Sequence, residues 1–448
     1  MKNLYIVHCV DTEGPLYESF NATFERINSI FGIDVEASEE NLEKLQNKAI
    51  PLGGLEDAIA NLVSEKRIRT NGSWADIEKM LELLNRREFR NQLQDNEGRD
   101  WVFNWFCIDH VGFTGLNPRR RDVGDHKIFD FYQKWIESNQ TNDIIQWHYH
   151  PLPYTGHYNA SGTAYLNSNN IWEILCKKII ERNWFPCAFR PGFHTERPDS
   201  HWFLEQWIPF DFGNQSVLGV TTDQPDLSGG RYGDWRRAPS DWSIYHPSHD
   251  DYQIPGNCKR WIARCLNIEA RLRVLTDQDI LSAFKRAESG PDTLLAMTNH
   301  DFRDMVSETT HVINRIKNFI PQFPNVRVRS INAIEAIRLT LNLPKSRPDL
   351  SFEMETLSPV KMKLHVVANG EIFGSQPFLA LKTRDGKYIW ENFDMEGYNH
   401  WSFTFDENHI PPQALTSIGI AANSSYGTTE IGRLDLDEGE WRRYVLND

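Results

Sequence analysis

Histidines 148 and 150 close an apolar run in Ile144-Ile145-Gln146-Trp147-His148-Tyr149-His150-Pro151. On a strand, residues i and i+2 share a face, so the pair offers two imidazole nitrogens to one point in space. Neutral imidazole is a common ligand of divalent metals. Asp11 and Glu13 have the same spacing at the end of another apolar run, Asn3 to Val10, and Gly14-Pro15 then turns the chain away. Arg190 follows the apolar stretch Trp184 to Phe189, and His300 follows Thr293 to Met297. One carboxylate with two imidazoles makes an N,N,O metal site with open positions, the donor set of a catalytic metal. A second carboxylate could serve as general base, Arg190 could orient it, and His300 could protonate a leaving group.

This chemistry requires four strand ends to meet. Helices are expected between the apolar runs, at about Lys127–Glu137, Ile171–Arg182, Ser200–Trp207, Ser307–Ile320 and Ile331–Leu339. Strands alternating with helices, with polar residues after the strands, predict an α/β barrel whose site forms at the carboxyl ends of its strands. Ser73 is a plausible cap for a further helix with Ile77, Met80, Leu81 and Leu84 on its apolar face. Residues 16–70 read as an irregular insertion with one or two helices. Residues 220–257 lack periodicity and read as a binding loop, in which Trp235, Tyr245 and His246 are expected to bind substrate, with Asp241 and Trp242 beside them.

After a linker with two prolines at 342–349 the texture changes. Short alternating or apolar runs are separated by turns at Asn369-Gly370, Asp385-Gly386 and Asn423-Ser424-Ser425. The expected organisation is a barrel over 1–342 and a small all-β sandwich over 350–448.

The chain has 448 residues, too many for one ordinary core. Its formal net charge of −14, with no basic block, argues against nucleic acid or an anionic membrane as partner. No apolar run is long enough to span a membrane, and the first residues read as a strand rather than a signal peptide. Six scattered cysteines without a C-x-x-C pair fit reduced thiols and a cytoplasmic location. Tryptophan is usually a core residue, but fifteen of them also suit the stacking of sugar faces on indole; Trp390, Tyr398, Trp401 and Tyr426 are expected first in the core of the β module and could otherwise line a sugar platform there.

The order of these motifs resembles the polysaccharide deacetylase family, whose catalytic domain is a distorted (β/α)₇ barrel of the NodB type. The resemblance covers about residues 1–340. Asp11-Thr12-Glu13-Gly14-Pro15 is similar to the first motif, His148 and His150 to the second, Arg190-Pro191-Gly192-Phe193 to the third, and His300 after a late strand to the last. Phe210 to Ser216 is similar to the segment that follows the third motif. The resemblance implies a metal-dependent hydrolase that removes an acyl group from an amino sugar in a glycan or glycan precursor. It assigns Asp11, His148 and His150 to the metal and Glu13, Arg190 and His300 to catalysis. Here the family's adjacent acids are spread to Asp11-x-Glu13, so Glu13 could equally be the metal ligand. The histidine spacing is also shorter, with His157 as an alternative to His150. The implied cofactor is a divalent ion, Zn²⁺ first, with Co²⁺, Ni²⁺ or Fe²⁺ also suited. Two other readings stay open: a carbohydrate-binding protein on an altered barrel, and a metal hydrolase of another C–N or glycosidic bond.

Overall fold

The computed structural model describes residues 2–94, 98–110, 126–151, 165, 169–217, 219, 233–270 and 272–448. Eight parallel strands come first: β1 (Lys2–Thr12), β2 (Phe103–His110), β3 (Ile144–His150), β4 (Ala188–Pro191), β5 (Phe210–Asn214), β6 (Trp261–Asn267), β7 (Thr293–His300) and β8 (Val326–Ser330). The strands β1 to β7 close into a barrel, because β1 pairs with β7 on one side and β2 on the other. β1 is buried from Leu4 to its end, as a parallel strand covered on both faces must be. Tyr5, Val7 and Cys9 point inward, where they meet Phe106, Phe212 and Cys265. Leu4, Ile6 and Val10 point outward into the core beneath the helices.

The β2 side of β1 is divided. β8 pairs with Lys2 to Ile6, and β2 takes over from His8 to Thr12. Side chains seal the change of partner. Asn104 donates from Nδ2 to the His8 carbonyl at 3.1 Å and accepts at Oδ1 from the Ala333 amide at 2.7 Å. Ser330 Oγ accepts from the Val102 amide at 2.9 Å.

The expected helices are present at Lys127–Asn139, Asn169–Arg182, Pro198–Trp207, Met305–Phe319 and Ala333–Leu341. Ser73 caps the helix Trp74–Leu84 by accepting from the Asp76 amide. Strand β6 and the helix Asp277–Ser289 had no counterpart in the sequence reading. The run Trp261-Ile262-Ala263-Arg264-Cys265-Leu266-Asn267 carries a charge at its centre. That charge is buried: Arg264 meets Asp279 Oδ1 at 2.7 Å and the Ser216 carbonyl at 2.7 Å, and stacks over Trp242.

The C-terminal part is antiparallel throughout. β9 (Leu350–Ser358), β10 (Lys361–Ala368), β13 (Asp394–Gly397) and β14 (His400–Phe405) form one sheet in the order β13-β14-β10-β9. β11 (Phe378–Thr383), β12 (Tyr388–Glu391), β15 (Leu415–Asn423), β16 (Thr429–Asp435) and β17 (Glu440–Leu446) form the other, in the order β12-β11-β15-β16-β17. Leu364, Val366, Trp401 and Phe403 of the first sheet share a core with Leu379, Leu381, Ile418 and Ile420 of the second. An α/β barrel is thus followed by an all-β region.

The two parts are closely docked. The helix Asn169–Arg182 lies on β11, β12 and β15. Trp172 stacks on Trp390 with centroids 4.0 Å apart, and Phe378 packs on Phe185 and Trp207. A side chain at Gly419 would stand 2.5 Å from Ile179 Cγ2, so glycine permits this approach. Of the four aromatics on the module, two are packed rather than offered to a ligand. Trp390 belongs to the joint and Trp401 is buried in the module core, Tyr426 offers its carbonyl to Arg338, and Tyr398 alone of the four is fully exposed.

Among the described residues no helix is long and apolar enough to cross a membrane. All six cysteines are free thiols, and five of them are buried.

Candidate active site

Strand register explains the convergence of the predicted residues. Asp11 of β1 lies opposite His300 of β7, and His148 of β3 lies opposite Arg190 of β4. All four positions are at the carboxyl ends of their strands. His148 and His150 share a face as expected, and their Nε2 atoms are 2.9 Å apart. Glu13 Oε1 stands 3.7 Å from each of these nitrogens. Donor atoms around a tetrahedral zinc are about 3.4 Å apart, given Zn–N lengths near 2.0–2.1 Å. Glu13, His148 and His150 thus form a buried group able to hold a metal ion.

His148 is held for this role. A carbonyl only accepts, so the 2.9 Å contact of His148 Nδ1 with the Arg190 carbonyl places the proton on Nδ1 and leaves the Nε2 lone pair for a ligand bond. Burial alone would lower the His148 pKa, but the Asp11 and Glu13 carboxylates raise it.

The expected placement of Asp11 among the metal ligands differs from this geometry. Asp11 faces the other nitrogen of His148, with Oδ1 3.9 Å from Nδ1. Both of its oxygens are taken by Arg190, Nε to Oδ1 at 2.5 Å and Nη2 to Oδ2 at 3.0 Å. Arg190 is itself fixed by donating from Nη1 to the Phe212 carbonyl at 2.7 Å. Burial alone would raise the Asp11 pKa, but the Arg190 guanidinium, then the His148 ring, hold its carboxyl well below the usual range. His300 Nε2 lies 3.9 Å from both Asp11 Oδ2 and Glu13 Oε1. Its side chain is 26% exposed, yet desolvation pushes it down to about 4.

Two residues shape the site without having been singled out. Asp301 accepts from the amides of Glu13 and Gly14, both at 2.9 Å, and from the Tyr132 hydroxyl at 2.9 Å. It thereby sets the turn that carries Glu13. Gly192 lies against His150: a Cβ there would stand 2.4 Å from His150 Cδ2. The chain then passes through two left-handed residues, Phe193 at φ 52° and His194 at φ 51°. Non-glycine residues in this region are held there by surrounding contacts. The Phe193 ring meets His150 edge to face at 4.9 Å, and the His194 carbonyl accepts from Trp235 Nε1 at 2.8 Å.

Two of the three predicted substrate-binding residues, Trp235 and Tyr245, are buried, and His246 is half-buried. Trp235 and Tyr245 are buried in a small core with Ala238, Tyr252 and Ile262, and the Tyr245 hydroxyl donates to the Tyr252 carbonyl at 2.8 Å. His246 lies against Trp261, and its Nδ1 meets the Arg260 carbonyl at 3.1 Å. Aromatic side chains in an aperiodic stretch here build a mini-core, and Trp235 serves the site indirectly by holding the His194 carbonyl. Trp242 is likewise buried, and Asp241 pairs with Arg286. His157 lies outside the described residues.

No known family model matches the sequence, and no characterised protein matches it. Among solved structures, one titled "Crystal structure of Br derivative BhCBM56" aligns with 22% of this chain and 95% of that one, at 12% identity and a TM-score of 0.13.

Proposed function

We propose that the chain is a metal-dependent hydrolase of the polysaccharide deacetylase type, removing an acyl group, acetyl in the simplest case, from an amino sugar in a glycan or glycan precursor. The observation that carries this reading is the convergence of two separate functions in one cleft: an N,N,O donor group and, beside it, an Arg-clamped carboxylate. A bound divalent ion, zinc by its fit to imidazole and carboxylate, supplies Lewis acidity toward the acyl carbonyl and makes water more acidic. In this reading Glu13, His148 and His150 hold the ion, and the roles of Asp11 and Glu13 are the reverse of those implied by the sequence resemblance. Asp11 accepts the proton of the attacking water, with Arg190 fixing its direction. His300 faces both carboxylates and, neutral at rest, relays the proton taken up by Asp11 to the departing nitrogen. The barrel is then of the NodB type, the substrate a carbohydrate, and the location cytoplasmic.

The test is to incubate the zinc-loaded full chain with a panel of N-acetylated sugars and oligosaccharides, measuring free acetate and new reducing ends. Acetate without reducing ends is expected, with metal and turnover both lost in His148→Ala. Reducing ends without acetate, or a His148→Ala protein that keeps metal and turnover, overturns the assignment.

A further inference from the structure

We infer that the β module carries a second divalent-metal site, on the outer face of its four-stranded sheet, made by His365, Glu396 and His400. The inference rests on this sheet alone and is independent of the barrel's function.

Pairing places the residues on one face. His365 on β10 lies opposite Ser402 on β14, so His400, two residues before Ser402, shares its face. β13 lies beyond β14, and its register slips between Met395 and Gly397, so Glu396 occupies the bulge beside His400. Bulges re-aim side chains. Here Glu396 Oε2 lies 3.7 Å from His365 Nδ1 and 3.7 Å from His400 Nε2. These spacings are close to the tetrahedral edge of about 3.4 Å for a zinc-like ion. One oxygen and two nitrogens, one from each of three paired strands, thus surround one point, and the open positions face solvent.

The surroundings orient the donors. Glu396 Oε1 is held by Lys363 Nζ and by the Ser402 hydroxyl at 2.9 Å, leaving Oε2 directed at the histidines. On the far side of His365, Glu355 Oε2 stands 3.5 Å from Nε2. A carboxylate behind an imidazole places the proton on the far nitrogen and raises the basicity of the near one, an arrangement common behind metal-binding histidines. A chance cluster of surface charge has no reason to show this order, with one carboxylate oxygen shared between two rings, its other oxygen tethered, and a second carboxylate behind one ring. The ligand is a divalent ion of the zinc, nickel or cobalt class, since two imidazoles disfavour magnesium and calcium. Its effect on the fold would be to tie β13, a four-residue edge strand, to β14 and β10.

The test is metal stoichiometry of the full chain by zinc titration and by cobalt absorbance, with chelator-stripped protein as the start. Wild type should bind two equivalents. His365→Ala/His400→Ala and, separately, Glu396→Gln should bind one, while keeping the wild-type circular dichroism spectrum. His148→Ala/His150→Ala should also bind one, and that remaining equivalent should vanish when His365 and His400 are replaced as well. A chain that binds one ion in the module and none in the barrel supports this site and removes the hydrolase reading. Stoichiometry unchanged by His365→Ala/His400→Ala, or a module ion bound only in large metal excess, overturns it.

Discussion

Arg190 grips Asp11 with both arms of its fork, at 2.5 and 3.0 Å, and both groups are fully buried. A carboxylate engaged this way is directed but not free to join a metal, and this separates the two acids of the β1 turn. Asp11→Asn should keep metal affinity and lose turnover by roughly 10²–10⁴-fold, the range of a lost general base. Glu13→Gln should lose the ion itself. Arg190→Lys keeps the charge but not the planar fork, so it should keep the metal and lose roughly 10²-fold in turnover. Zinc titration beside steady-state kinetics on a cleaved substrate checks all three. Metal loss in Asp11→Asn with retention in Glu13→Gln would return Asp11 to the ligand set.

Gly192 leaves no room beneath the His150 ring, with a Cβ placed 2.4–2.8 Å from three ring atoms. Gly192→Ala must push His150 away from Glu13 and His148. The expected outcome is metal affinity weaker by about 10–100-fold, the cost typical of disturbing a ligand's support. Unchanged affinity in a zinc competition assay would mean that His150 is dispensable.

Away from the cleft, burial pushes the Glu308 carboxyl up to about 7 from an ordinary 4.5, even though Asn299 Nδ2 donates to its Oε2 at 3.0 Å. Its pKa is raised on folding, so the folded state favours the protonated form. The unfolded chain ionises first as pH rises, and stability falls between about 4.5 and 7 and then levels off. At ~1.4 kcal/mol per pH unit the cost at neutral pH is at most about 3 kcal/mol. Glu308→Gln, which preserves the shape and the acceptor, should match wild type in urea denaturation near pH 4.5 and exceed it at pH 8. Equal stability at both values would show that Glu308 is ionised without penalty.

The parts of the site that were legible in the sequence are those set by strand spacing. His-x-His and Asp-x-Glu each put two side chains on one face, and Arg190 and His300 end apolar runs. What spacing cannot convey is which way a ring presents its two nitrogens. The division of labour between Asp11 and Glu13 depends on that, because Asp11 faces Nδ1 of His148 and Glu13 faces Nε2. Asp301 stayed hidden because its work is to accept backbone amides, which no side-chain pattern signals. β6 stayed hidden because Arg264 breaks its apolar run, and its partner Asp279 comes fifteen residues later. Trp235 and Tyr245 looked available for a sugar because composition cannot distinguish an aromatic rim from a buried cluster.

The joint between the barrel and the β region also bears on how the molecule comes apart. Trp172 and Trp390 stack across it, Asn423 donates to the carbonyls of Pro186 and Trp207, and Arg338 reaches Thr428 and the Asn447 carbonyl. The residues that cap β4 and β5 from outside therefore belong to the other half of the chain. Cutting at the proline linker would bare the Trp172–Trp390 stack and the Asn423 and Arg338 contacts on both sides. Because the Pro186 carbonyl just before β4 is held by Asn423, loss of the β region would remove a support of the strand that presents Arg190.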